Sequence, residues 1–279
     1  LTGTILAGFF AFTMALAWKR GLEAIPWLTV AATTSVAIAL FIATRDVVSV
    51  TVSILAMAAI MEAAACYGHV LSSRIFPALG ANFTVWLIVS LLTSQPFPDG
   101  YPHVAPAVME MLWFALLGIY AVSIGIRGFW LRREITVVDT IQGALAFAVA
   151  VFGATRAPGN FVAPALGLIM LTLAAGCYWG ALSRFAAESY SRNRRILSIW
   201  AAALLIVGSV FLLPTAASIA FLCVVAVAAG VVYTRTGSVT LGLHASTLLA
   251  AAFGLSALPK FAYDGLIGTL PMAPPWSIF

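Results

Sequence analysis

The sequence predicts an all-α fold, a polytopic bundle of about ten transmembrane helices, because each crossing of the hydrocarbon core needs about twenty mostly apolar residues. Two compositional observations lead to this prediction. Hydrophobic residues make up 63% of the chain and charged residues only 8%, and the mean hydropathy is +1.08, far above that of a soluble domain. The 279 residues leave no room for a folded soluble domain beside the spans.

The third observation is that apolar segments follow one another with short breaks. We predict spans at roughly 1–18, 25–43, 47–67, 76–92, 105–126, 135–154, 161–182, 196–213, 216–233 and 239–258. Prolines lie at or near five segment starts, where a helix does not need the missing backbone N–H. They are Pro26, Pro77, Pro106, Pro158 and Pro214. The division at Pro214 has two interpretations, a tight turn or a kink within one long helix.

Lys and Arg are distributed unequally between alternate loops. The even-numbered loops contain only Arg45, Arg156 and Lys260, whereas the odd-numbered loops contain 11 basic residues. These are Lys19, Arg20, Arg74, Arg127, Arg132, Arg133, Arg184, Arg192, Arg194, Arg195 and Arg235. Because cytoplasmic loops are enriched in Lys and Arg, the basic side is predicted to be cytoplasmic in a cell membrane, with both ends of the numbered chain on the other side.

Two segments are predicted to lack a transmembrane helix. Thr93 to Ala105 is rich in proline, which resists helix, and should form a compact irregular lid on the non-cytoplasmic side. Residues 259–279 carry prolines and aromatic residues without a helical period. The domain organisation is therefore a helical bundle over 1–258 and an interfacial tail over 259–279.

Ionisable residues inside predicted spans are the candidate functional groups, because burying charge in a bilayer is costly. They are Glu62, Glu110, Asp139 and His244, with His103 in the lid as a neighbour of Glu110. The spans place Glu62, Asp139 and His244 near the cytoplasmic side and Glu110 about one turn from the other side. No Lys or Arg is expected deep enough to pair with them. We therefore expect separate groups near the interfaces that are hydrogen-bonded to neighbouring helices or reached by water, and a functional role is most plausible for Glu110.

Two further patterns concern lipid and packing. Arg184, Arg192, Arg194 and Arg195 form a cluster that would attract anionic lipid headgroups, although the general enrichment of cytoplasmic loops in Arg is sufficient to explain it and is the favoured interpretation. Gly176 and Gly180 form a GxxxG pair, a spacing that allows close helix packing.

Several function classes find no support in the sequence. No nucleophile elbow, HExxH, P-loop or dinucleotide fingerprint is present, so no catalytic site, metal or cofactor is predicted. Cys66, Cys177 and Cys223 are isolated in apolar segments. The basic residues lie in short turns, which argues against nucleic-acid binding. Pigment ligation by His69, His103 or His244 has only these scattered histidines in its favour.

One pattern resembles part of a known family. Glu188-Ser-Tyr-Ser-Arg192, followed by Thr236-Gly237-Ser238 and Leu243-His244, looks like fragments of the CAAX-protease and bacteriocin-processing intramembrane enzymes. Their motif is a Glu pair with a downstream Arg, then two separated His residues. The chain has Ala187 at the first Glu, Leu248 at the family's Asn, and no His between Arg192 and His244. The resemblance thus implies an intramembrane protein without a full catalytic set.

These observations leave three functional hypotheses. The first is a non-catalytic membrane scaffold, an accessory subunit or a segment of a larger polytopic protein, with lipids and other membrane-protein subunits or further copies of itself as partners. The second is a small-molecule transporter or flippase that uses Glu110 and the lid. The third is the degenerate intramembrane hydrolase.

Overall fold

The computed structural model describes residues 2–20, 24–68, 72–94, 99–156, 162–184 and 191–268, and every regular element in these ranges is a helix. Eight of the described helices are long and apolar enough to cross a membrane, or nine if one bent helix pair forms a single span. The all-α class is therefore confirmed, and the length and apolar composition of these helices support a membrane-embedded protein. The count of ten spans stays a prediction.

The chain divides into two units, Leu1–Gly159 and Asn160–Phe279. The first unit contains α1 (Thr2–Arg20), α2 (Ala24–Thr44), α3 (Val47–Cys66), α4 (Ile75–Leu92), α5 (Pro106–Gly125) and α6 (Val137–Arg156). Helix α3 packs against α1, α2, α4 and α5, so it is the centre of this unit. Helix α6 packs against α4 and α5. The core of the unit therefore lies between α3, α4, α5 and α6.

Short-range interactions set the ends of the helices in the first unit. Asp46 begins α3, and its Oδ1 accepts a hydrogen bond from the Ser49 backbone N–H at 3.2 Å. Pro106 is the first residue of α5, where its fixed φ favours helix. At its other end α5 continues into a π-helical turn, Ile126–Trp130, which carries Arg127 beyond the last regular turn. The chain therefore stays helical to Trp130, beyond residue 126, where the fifth predicted span ended.

The described residues of the second unit form four long helices and a short one. They are α7 (Val162–Trp179, followed by a π-helical turn, Gly180–Arg184), α8 (Ser191–Leu212), α9 (Thr215–Thr236), α10 (Val239–Leu255) and α11 (Leu258–Leu266). Helix α8 ends before Pro214 and α9 begins after it, and the Ser218 hydroxyl donates to the Ser209 carbonyl at 2.8 Å. The extended backbone of Pro214 therefore separates two helices, and the choice between a tight turn and a kink stays a prediction.

Two sequence expectations differ from the structure of this unit. The predicted irregular tail begins as a helix, α11, bent by 66° from α10; residues 269–279 lie outside the described residues. Close packing of α7 on α8 occurs at Gly167 and Gly208, where a Cβ on Gly167 would lie 2.9 Å from the Gly208 carbonyl oxygen. A Cβ on Gly176 would meet nothing within 4 Å. Gly176 is therefore not part of this contact, because small residues allow close packing only where a second small residue faces them on the neighbouring helix. For Gly180 the predicted packing stays a prediction.

Candidate functional site

Four charged side chains meet inside the first unit, and we call them the ion-pair network. Glu62 lies in the last turn and a half of α3, Arg74 directly precedes α4, Arg127 is in the π-helical turn after α5, and Asp139 is in the first turn of α6. Each residue is less than a tenth exposed. Because α3 and α5 end where α4 and α6 begin, the network joins the ends of four helices on one side of the unit.

Glu62 is held from two sides. Its Oε2 accepts a hydrogen bond from the Ser123 hydroxyl at 2.6 Å and another from Nη2 of Arg127 at 2.8 Å. Its Oε1 lies 3.8 Å from Nη1 of Arg74. The carboxylate therefore links α3 to the end of α5 and to the start of α4.

Asp139 is fixed by its own helix as well as by both arginines. Its Oδ2 accepts from the backbone N–H and the hydroxyl of Thr136, at 2.9 and 2.8 Å, and the Asp139 N–H donates back to the Thr136 hydroxyl. This reciprocal pair is a capping box. Its Oδ1 lies 2.7 Å from Nη2 of Arg74 and 2.9 Å from Nη2 of Arg127, contacts that are ion pairs rather than well-aligned hydrogen bonds.

The loop between α5 and α6 also folds onto the network. The Arg133 backbone N–H donates to the Arg127 carbonyl at 2.9 Å, and its guanidinium donates to the Ala65 carbonyl at 3.0 Å. Arg132 has a φ of 54°, a left-handed conformation that is uncommon for a residue with a side chain. The basic loop is thereby tied to the end of α3.

The network corrects the expectation that no cation lies deep enough to pair with the acidic groups. Arg74 and Arg127 are 4% and 7% exposed, and they neutralise Glu62 and Asp139 one for one. The error arose because both arginines were counted as loop residues that set orientation. A buried ion pair is sustained only when hydrogen bonds and opposite charges offset the loss of solvation, and this arrangement supplies both.

Polar groups without a partner continue from the network into the unit. Gln142 is one turn from Asp139 on α6, and Tyr120 is seven residues, or about 10 Å along the helix, before Arg127 on α5. Both are at most 2% exposed, and the Tyr120 hydroxyl and both polar atoms of Gln142 have no hydrogen-bond partner among the residues that the structure describes. Buried polar atoms without partners are rare and mark candidate ligand contacts.

The structure does not bring Glu110 or His103 to the network. Glu110 is half-buried, one turn into α5, and 17 residues, or about 25 Å, separate it from Arg127 along the helix. His103 is exposed in the loop before α5. Residues 99–105 are irregular, as predicted, while 95–98 of the lid lie outside the described residues. Arg45 holds the loop by donating to the Asp99 carbonyl at 3.2 Å.

His244 belongs to the second unit. It is 6% exposed on α10, and its Nδ1 lies 3.1 Å from the Tyr178 hydroxyl on α7. Of the arginine cluster, Arg192 and Arg195 are exposed and Arg194 is half-buried. The side chain of Arg184, all of Glu188 and all of His69 lie outside the described residues. A contact between Glu188 and His244 therefore stays a prediction.

Among the described residues, no group of three or more His, Cys, Asp or Glu side chains is placed to hold a metal ion. The fold is that of an all-helical protein with eight or nine described helices long and apolar enough to cross a membrane, and buried interhelical ion pairs join the helices of its first unit. The chain matches no protein-family model, no curated protein and no solved structure. The resemblance to the CAAX-protease family therefore rests on the quoted fragments alone.

Sequence reasoning identified Glu62 and Asp139 but missed the groups around them. One local signal was available, since Thr136-Val-Val-Asp139 has the spacing of a capping box and places Asp139 in a first helical turn. A second signal was the length of the apolar segment, which continues from Pro106 past Arg127 to Trp130 and so places Arg127 within the helical segment. No local pattern pairs Glu62 with Arg127, because they are 65 residues apart.

Proposed function

We propose that the chain is a non-catalytic integral membrane scaffold, an accessory subunit or a helical segment of a larger polytopic assembly. The observation that carries this proposal is the neutral ion-pair network. Two carboxylates and two guanidinium groups compensate one another and join the ends of α3, α4, α5 and α6. Directional contacts of this kind favour one helix arrangement over others, which suits a rigid packing surface.

The proposal includes a topology of ten spans with the network toward the cytoplasm of a cell membrane. Each predicted apolar segment overlaps one of the helices α1 to α10, which supports ten crossings. Arg132 and Arg133 lie in the same loop as the network, next to Arg127, which supports a cytoplasmic location by the enrichment of Lys and Arg there.

A scaffold is expected to leave the membrane with its partners. We expect extraction in a mild detergent, followed by blue-native electrophoresis and mass spectrometry of the band, to yield a species well above the 29.3 kDa chain. The matched control is the same sample denatured in SDS, which should run as the single chain. A solitary monomer with no co-purifying protein would contradict the proposal.

A small-molecule transporter or flippase is the second candidate function. The specific observation in its favour is the pair of unpartnered groups, Tyr120 and Gln142, because a path for a polar solute needs such groups inside the helix bundle. In that function the ion-pair network would close the path on its side of the membrane.

Two substitutions distinguish the candidates. We expect Tyr120→Phe and Gln142→Leu to leave the melting temperature unchanged or raised, because each removes a buried polar group that has no hydrogen-bond partner in the described part of the chain. In proteoliposomes a scaffold should show no solute flux before or after either change, measured by osmotic swelling in glycerol and urea and by a pH-sensitive dye. Flux in the wild type that both variants abolish would instead favour the transporter.

Glu110→Gln is the companion variant for the same assay. A transporter that uses Glu110 at its entrance should lose uptake or proton coupling without loss of folding. Wild-type flux that survives Glu110→Gln would remove this carboxylate from the mechanism and leave Tyr120 and Gln142 as the candidate path.

A degenerate intramembrane hydrolase is the third candidate and has the least support. Its Glu188 lies outside the described residues, and the polar contact of His244 is the Tyr178 hydroxyl. General acid–base work would require His244 and an acidic group within about one hydrogen-bond length or one bridging water.

A further inference from the structure

We infer that the second unit binds one anionic phospholipid between α8 and α10, with its phosphate at Arg194 and Arg195 and an acyl chain in the apolar groove beside them. This inference does not depend on the proposed scaffold function, since it rests on residues of the second unit alone. Two adjoining cavities, one polar and one apolar, supply its geometry.

The apolar part is a groove of about 740 Å³ along one face of α8. It begins at Arg195 and continues along Ile199, Ala202, Ala203 and Ile206, which are spaced as one helix face. Eleven residues of helix span about 16 Å, close to half of the hydrocarbon core of about 30 Å. The groove therefore has the length of one acyl chain in one leaflet.

The other wall of the groove comes from the first half of α10. Val239 and Leu243 add apolar surface, and Thr247 donates its hydroxyl to the Leu243 carbonyl at 2.8 Å. That hydroxyl is satisfied within the helix. The wall consequently suits a hydrocarbon chain better than a polar solute.

The polar part is a cavity of about 300 Å³ that shares Thr240 and His244 with the groove. Arg194 and the hydroxyls of Ser198 and Thr240 line it, together with the hydrogen-bonded Tyr178 and His244. Guanidinium and hydroxyl groups are the usual donors to phosphate oxygens. The two cavities together have the shape of a headgroup site that opens into an acyl-chain site.

Charge complementarity selects an anionic lipid over a neutral one. Arg192, Arg194 and Arg195 lie in the first turns of α8, and no acidic residue is found in its first turn. The N-terminal end of a helix favours negative charge. A lipid phosphate next to Arg194 and Arg195 would interact favourably with the guanidinium groups that line the two cavities and with the helix end. An anionic headgroup adds a further negative charge at the same place.

The test is native mass spectrometry of the purified chain in detergent, titrated with phosphatidylglycerol or with phosphatidylcholine of the same acyl chains. We expect one phosphatidylglycerol to remain bound at activation energies that remove phosphatidylcholine. Arg195→Gln should weaken phosphatidylglycerol binding about fivefold, the effect of one cation near an anionic lipid surface. Arg235→Gln is the matched control and should leave binding unchanged, because Arg235 is an exposed basic residue at the end of α9 outside both cavities.

The acyl-chain groove is tested separately. Ala203→Phe places a large side chain in the groove and should remove the bound lipid, whereas Ala228→Phe, on an exposed position of α9, should not. If Ala203→Phe does not fold, as judged by size-exclusion chromatography, Ala203→Leu is the smaller replacement with the same expected direction.

Three outcomes would overturn the inference. Equal retention of the two lipids would show that no anionic site exists, and equal losses in Arg195→Gln and Arg235→Gln would show a general surface attraction. A chain dimer without bound lipid that Ala203→Phe dissociates would assign the groove to a second copy of the chain.

Discussion

Glu62→Gln is expected to lower the free energy of unfolding by about 3–5 kcal/mol, the usual cost of removing one partner from a buried ion pair. The amide loses the charge that Arg127 contacts at 2.8 Å and leaves the network with one excess positive charge. Reversible unfolding in mixed dodecylmaltoside and SDS micelles, followed by circular dichroism, measures the change. Glu110→Gln is the matched control, because Glu110 is half-buried outside the network, and a change within about 0.5 kcal/mol is expected there.

A double-mutant cycle shows whether the effect comes from the pairing. Arg127→Gln in the Glu62→Gln background restores neutrality and leaves the Arg74–Asp139 pair, at 2.7 Å, in place. The double variant should therefore lose less stability than the sum of the single variants, by about 1–3 kcal/mol. Exposed ion pairs typically contribute less than about 1 kcal/mol to stability. If Glu62→Gln lowered the free energy of unfolding by less than this, a structural role for the Glu62–Arg127 pair would be contradicted.

Gly167→Ala is expected to destabilise the second unit by about 1–3 kcal/mol, the typical cost of overpacking. An added Cβ would lie 2.8 Å from the Leu212 backbone nitrogen and 2.9 Å from the Gly208 carbonyl oxygen. Both are backbone atoms of α8, so α7 and α8 would have to separate. The midpoint of thermal unfolding, followed by fluorescence-detection size-exclusion chromatography, measures the loss.

Gly176→Ala is the matched control on the same helix. Nothing lies within 4 Å of its added Cβ, and alanine favours helix over glycine, so the melting temperature should stay the same or rise. If Gly176→Ala were the more damaging of the two, the close approach of α7 to α8 at Gly167 would be wrong.

Hydropathy alone determined the class of the protein and most helix positions. Apolar runs of about twenty residues must satisfy their backbone hydrogen bonds internally within a membrane, so they form helices whatever packs around them. The capping residue Asp46 and the N-terminal Pro106 act within one or two turns, and their positions at helix starts follow from sequence. The helix over residues 258–266 was not predicted from sequence, because nine residues after a bend are too few to show a clear helical period.

Charge pairing was decided by tertiary structure. Glu62 and Asp139 stood out in the sequence as costly buried acids, but Arg74 and Arg127 looked like ordinary loop cations. Only the packing of α3, α4, α5 and α6 brings the four together, in ion pairs between residues as many as 65 positions apart in the chain. The energy of a buried charge depends on the groups within a few ångströms of it, and a linear sequence does not specify those distances.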